Sequence, residues 1–184
     1  MNKVKFNIKN LHYAPMTEEG TYGTPVAIPG AVSISLEPQG EISSFYADGI
    51  QYYTASTNGG YEGDVEVALI PDSFRKDILK EIEDTNKVLI ENADEEPEKF
   101  ALGMDIDGDS KTTKFWFYNC VVTRATVKSQ TNEKTKTPIT DTFTVSCTPG
   151  NDGSVRAKTT SETPEEVLGN WYKSVYKAVA GDKK

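Results

Sequence analysis

The sequence has 184 residues, with 28 acids against 20 bases, a formal net charge of −8 and a pI of about 4.8. An acidic chain does not draw in nucleic acid by neutralising phosphates, and it has no electrostatic reason to adhere to an anionic membrane. The length suits one domain with a real core, and aromatics at 10%, nine of them Tyr, favour strands over helices.

Residues 3–8 alternate polar and apolar and predict a first short strand. Residues 11–30 hold three prolines and three glycines, which predicts a loop. Residues 31–37 alternate cleanly, with Val32, Ile34 and Leu36 facing in and Ser33, Ser35 and Glu37 facing out. From about 37 to 60 the sequence predicts a long hairpin arm: two strand pieces broken at Asp48-Gly49, with small polar residues at its end, where Asn58-Gly59-Gly60 is a tight-turn signal. Phe45, Tyr46, Tyr52 and Tyr53 make the stem of this arm aromatic, and exposed aromatic clusters mark contact surfaces. They are candidates for an assembly interface.

Tyr61 to Ile70 returns to period two, with Val65, Val67 and Leu69 on one side and Asp64, Glu66 and Ala68 on the other. Directly after Pro71 the period changes. Phe74, Ile78 and Ile82 share a helical face, with Asp72 or Ser73 available as a cap. Such a helix must lay its apolar stripe on a sheet. Further strands are expected at 87–92, 99–106, from Lys114 to Lys128 and from Thr140 to Thr148, the last with Phe143, Val145 and Cys147 inward. Ser129 to Lys136 reads as a polar connector, and Pro149 to Gly153 as a turn. Ser154 to Ser161 carries no core signal. Thr163-Pro164-Glu165-Glu166 opens a second helix with Val167, Trp171, Val175 and Val179 on one face, ending near Gly181. The domain plan is therefore a β-rich body at 1–153 and a C-terminal linker with a helical arm at 154–184. Trp171 and Val175 are expected to anchor that arm on another subunit, since buried aromatics dominate interface energetics. The fold class is mainly β: a β-sandwich or rolled barrel with one flanking helix and this arm.

No catalytic, metal or cofactor set stands out. His12 is the single histidine and has no nucleophile placed beside it. Phosphate loops, dinucleotide fingerprints and nucleophile elbows are missing from the sequence. Carboxylates are too numerous to single out a glycosidase pair. Asp105-Ile-Asp107-Gly108-Asp109 opens like a calcium loop, but Ser110 stands where Gly is needed and Trp116 where Glu is needed, so it reads as an Asp-Gly hairpin. Cys120 and Cys147 sit among apolar strand residues and read as buried free thiols, with a disulfide open to them if their strands are neighbours, though nothing else points to an oxidising compartment. The first residues have no apolar signal core and no run approaches a membrane span, so synthesis in the cytoplasm is expected. Charge is uneven: residues 62–109 carry sixteen acids and five bases, while 110–136 carry six bases and one acid. Ordinary solvation explains this, as does side-by-side docking of identical subunits. A cell-surface or carbohydrate-binding β-sandwich is the alternative class.

The order of several motifs resembles the major tail proteins, or tail tube proteins, of long non-contractile-tailed bacteriophages of Gram-positive hosts. The matching stretches are Asn10 to Ala14, Gly20 to Gly30, Tyr46 to Gly49, the Gly63-to-Pro71 handover and Phe100 to Gly103. Phe117 to Cys120, Cys147 to Gly150 and Asp152 to Arg156 follow. The resemblance implies a structural virion protein of the tail. Its subunits would form hexameric rings stacked into a tube, tied by a long hairpin and terminal arms. The lumen would hold the tape measure protein and then pass double-stranded DNA. In that setting Glu62, Asp64 and Glu66 are candidates for the lumen, where acids leave DNA mobile.

Overall fold

The computed structural model describes residues 2–131 and 137–178. In chain order the elements are β1 (Lys5–Glu18), β2 (Thr21–Tyr22), β3 (Val26–Ala27), β4 (Ala31–Gln39), β5 (Ile42–Ala47), β6 (Ile50–Ser56) and β7 (Gly60–Val67). Then come α1 (Asp72–Asp77), β8 (Ile82–Glu83), β9 (Leu89–Ile90), β10 (Phe100–Gly108), β11 (Thr113–Val122), β12 (Asp141–Cys147), β13 (Arg156–Lys158) and α2 (Glu165–Asn170). The fold is mainly β, as the alternation predicts.

One antiparallel sheet organises the chain, in the order β2-β1-β10-β11-β12-β7-β4, with β13 on β11 and β3 on β1. Strand β11 uses one edge twice: Phe115 to Phe117 pair with β13, and Cys120 to Val122 pair with β12. Between them Asn119 takes a positive φ of 48°, which turns the strand. The sheet rolls until β1 and β4 approach each other, with no ladder joining them. Inside the roll lies the main core, where Phe74 of α1 meets Tyr13, Phe100 and Phe143.

The outer face of β1, β10 and β11 is also apolar. Ala14, Ala101, Trp116 and Tyr118 alternate with the inward Tyr13, Phe100, Phe115 and Phe117. A strand buried on both faces reads as a continuous apolar run, which explains the sequence of β10 and β11. The cover on this outer face is the C-terminal segment, through Val167, Trp171, Tyr172, Val175 and Tyr176. Gly103 makes the packing fit: a Cβ there would meet the Trp116 ring at 2.6 Å.

Several expectations are corrected. The region 11–30 is not a loop throughout, because β1 continues to Glu18 through bulges after Lys5 and Lys9, and the chain reverses only at Gly20 (φ 71°). Val32 faces out, since a bulge between Ala31 and Ser33 inverts the alternation and leaves Ala31, Ile34 and Leu36 on the core. Strand β7 stops at Val67, so Leu69 is 69% exposed and Ile70 takes the buried place. Helix α1 is capped by neither Asp72 nor Ser73; it starts after Pro71 with no side-chain cap, and it ends before Ile82, which is exposed in β8. Only Leu89 and Ile90 of 87–92 form a strand. The strand from Lys114 ends at Val122, and Val127 lies 99% exposed beyond it. The Ser154–Ser161 stretch supplies β13 and the buried Val155 and Thr159.

At the C-terminus Pro164 occupies the cap position without a side-chain bond, and the Thr163 hydroxyl accepts from Thr160 N instead. Strands β10 and β11 form a hairpin, but Asp107 and Gly108 stay within β10 and do not make its turn, since the last paired rung is Ile106 with Thr113; β12 does turn Phe143, Val145 and Cys147 inward. Val179, Gly181 and the connector residues 132–136 lie outside the described residues.

Candidate assembly surfaces

The residues singled out for assembly separate into two groups. Phe45, Tyr46, Tyr52 and Tyr53 lie on the β5–β6 ribbon, where Phe45 stands opposite Tyr53 and Asp48 (φ 52°) with Gly49 (φ 77°) makes the turn. Both turn residues need positive φ, which Asp tolerates and Gly adopts freely. The tip is therefore Asp48-Gly49; Asn58 to Gly60 is the base, where the chain re-enters β7. With Ile42 and Ile50, the four aromatics are between 61% and 77% exposed. The ribbon forms its own two-stranded sheet. Such a ribbon is marginal in water unless something covers it.

Trp171 and Val175 behave differently. Trp171 is 3% exposed and Val175 is buried, both against the outer face of their own sheet. Instead of hanging free, the C-terminal segment is docked. Tyr118 Oη donates to the carbonyl of Tyr176, and Tyr172 Oη donates to Asp105 Oδ1. Asp105 is 1% exposed and holds Lys114 Nζ at 3.0 Å and Asn10 Nδ2 at 2.8 Å on its other oxygen. The Tyr172 ring stacks on His12 at 4.0 Å between centroids, with Lys114 Nζ over the ring. Burial raises the Tyr172 phenol far above its usual range, and burial lowers His12. No sequence periodicity links His12, Asp105 and Tyr172; only the sheet brings them together.

The calcium-like run diverges in space. Asp105 points to this cluster, Asp107 pairs with Lys9 at 2.7 Å, and Asp109 accepts from Lys3 N at 2.8 Å. Among the described residues no group of three or more His, Cys, Asp or Glu is placed to hold a metal.

Glu62, Asp64 and Glu66 lie on the face of β7 turned away from the core, since Val65 and Val67 are buried on the other. The strand partners extend them into a polar lattice. Glu66 lies between Ser33 and Thr142, Asp64 between Ser35 and Thr144, and Glu62 between Glu37 and Ser146. Ser33 donates to Glu66 at 2.8 Å, Thr140 to Glu66 at 2.5 Å, and Thr144 to Asp64 at 2.7 Å. The Thr140 and Ser33 hydroxyls hold the Glu66 carboxyl below its usual pKa. Each strand contributes alternate residues to this face, so the lattice is a direct consequence of period two.

A cleft of about 340 Å³ sits at one end of the outer layer, lined by Met16, Tyr22, Tyr118, Asn119, Asp152 and Lys177 among others. The Tyr22 hydroxyl there accepts from Asn119 N at 3.0 Å. No helix among the described residues is long and apolar enough to cross a membrane.

Among the described residues, these features define a rolled, mainly-β fold with a bare aromatic ribbon and an acidic face. No protein-family model and no curated protein matches the sequence. Among solved structures, the chain is similar to one in the cryo-EM structure of the anti-feeding prophage baseplate, 6-fold symmetrised. The TM-score is 0.54 at 9% identity, over 88% of this chain and 98% of that one. A weaker likeness, TM-score 0.47 at 13% identity over 86% of this chain and 99% of that one, is to the sheath/tube terminator of an extracellular contractile injection system in the extended state. At these identities the likeness is one of fold.

Proposed function

We propose that this chain is a structural subunit of a phage or phage-like tail, and that it assembles through the β5–β6 ribbon into stacked rings forming a tail tube. The observation that carries the proposal is the bare ribbon. Six large apolar side chains stand clear of the core on a two-stranded ribbon that is not part of the main sheet. Covering it needs another chain, and a second copy of the same chain is always present at equal concentration. The fold likeness to a baseplate chain in a 6-fold assembly supports a tail role. The sequence resemblance supports hexameric rings, a lumen occupied first by a tape measure protein and then by DNA, and a final place in the virion tail after synthesis in the host cytoplasm.

The acidic lattice of β4, β7 and β12 supports a lumen position for Glu62, Asp64 and Glu66. A ring repeats the lattice around its circumference, and a negative wall leaves DNA free to move. On this reading the chain has no catalytic role.

A second reading rests on the cleft beside Tyr22 and Tyr118. A concave site with aromatic walls and a few polar groups suits a small ligand or sugar, as in a β-sandwich binding module. Electron microscopy and sedimentation of the purified chain over rising concentration separate the two. Rings or tubes support the tail subunit, and a strictly monomeric chain at all concentrations favours the binding module.

A further inference from the structure

Cys120 and Cys147 face each other directly across the β11–β12 ladder. Both are free, fully buried and part of the same core cluster, so both side chains lie on the inner face of the sheet. Their place in the hydrogen-bond pattern decides what they can do. Thr148 N donates to Asn119 O at 3.3 Å, and Thr123 N donates to Thr144 O at 3.0 Å. Those residues mark the hydrogen-bonded rungs of this register. Such rungs alternate with open ones, and Cys120–Cys147 occupies an open rung, one step from Asn119–Thr148. At an open rung the Cα atoms stand about 4.5 Å apart, inside the roughly 4.4–6.8 Å window that a disulfide spans.

We propose that Cys120 and Cys147 are a cross-strand disulfide site, closed during folding by a small disulfide oxidant such as oxidised glutathione. One cysteine thiolate attacks the oxidant, forming a protein–glutathione mixed disulfide and releasing one glutathione thiolate. The second cysteine, as its thiolate, attacks the protein sulfur of that mixed disulfide and releases the second glutathione. The protein loses two hydrogens as an S–S bond forms, and oxidised glutathione is reduced to two molecules of glutathione. Once the chain is folded neither sulfur is exposed, and burial together with the adjacent Cys147 thiol pushes the Cys120 thiol up. Exchange therefore belongs to the unfolded or opening chain, and the folded protein keeps whichever redox state it closed in. The bond links β12 to the strand that joins both halves of the sheet.

The test refolds the full reduced chain from denaturant in a glutathione redox buffer and compares it with the same chain refolded fully reduced. The expected product is a monomer lighter by two hydrogens, with one peptide pair linked Cys120 to Cys147 on mapping without reductant. Its Tm should exceed that of the reduced form by roughly 5–15 °C. The Cys147→Ala chain, under the same conditions, should stop at a glutathione adduct on Cys120 or remain reduced. If the wild type ends as glutathione adducts or disulfide-linked dimers, the pairing is wrong. If the internal bond forms and leaves Tm unchanged or lower, the open rung does not accommodate it and the proposal is overturned. Folded, reduced protein placed in the same buffer should stay reduced; rapid oxidation there would overturn the folding-coupled step.

Discussion

The indole Nε1 of Trp116 donates to the main-chain carbonyl of Trp171 at 3.1 Å, in a fully buried contact between residues 55 positions apart. Trp116 lies on the outer face of β11 against Gly103, and Trp171 follows α2 and stacks on Tyr176. This bond joins the C-terminal segment to the sheet as part of one folded unit.

Trp171→Ala should therefore destabilise the isolated subunit. Truncating a buried Trp costs about 3–5 kcal/mol, which for a chain of this size is a Tm loss on the order of 10 °C. Thermal unfolding followed by circular dichroism reads this directly. A melting curve unchanged from wild type, with assembly lost, would instead return Trp171 to an intersubunit role.

The ribbon should behave in the opposite way. Replacing Phe45, Tyr46, Tyr52 and Tyr53 together by Ser removes exposed apolar surface, and changes at exposed positions shift stability by about 0.5 kcal/mol or less each. The subunit should stay folded and soluble while rings and tubes disappear from electron micrographs. Normal assembly by this variant would rule out the ribbon as the tie between copies.

Charge reversal on β7 addresses the lumen. Glu62→Lys, Asp64→Lys and Glu66→Lys together remove the acceptors of Ser33, Thr140 and Thr144, yet these hydroxyls lie at a polar face where water replaces the carboxylates. The fold should persist. Tubes built from this variant should retain double-stranded DNA, and the retention should fall steeply as salt rises. Binding no stronger than that of wild-type tubes would place these acids on the outside.

High pH should loosen the subunit before low pH does so through these groups. Burial raises the Tyr13 phenol to about 12, and burial raises Tyr118 and Tyr172 further. A raised pKa means the folded state favours the protonated phenol. That contribution is complete below the unfolded value of about 10 and is lost as pH climbs through the folded value. Unfolding free energy should fall from about pH 10 upward, with the C-terminal segment and the α1 contact both involved, since Tyr13 Oη donates to Asp77 Oδ2 at 2.8 Å. A flat stability profile between pH 10 and 12 would contradict the burial of these phenols.

Much of the sheet is legible in the residues themselves. Period two marks β4, β7 and β12, Asp48-Gly49 marks the ribbon turn, and the acidic side of β7 follows from Val65 and Val67 taking the core side. These are local properties: a side chain's face depends on its neighbours one and two places away. What local pattern does not carry is where the alternation breaks and what covers the second face. The bulge after Ala31 turns Val32 outward, because pairing with β7 settles the register. Strand β1 runs on through Pro15 because the chain there pairs with β10. The C-terminal segment looks like a free amphipathic arm until β1, β10 and β11 present Ala14, Ala101 and Trp116 on their outer side. The burial of Trp171, the Asp105–Tyr172 bond and the facing cysteines all join residues distant in the chain. The rolling of the sheet decided them, because closing those contacts depends on the whole fold and not on any one stretch of sequence.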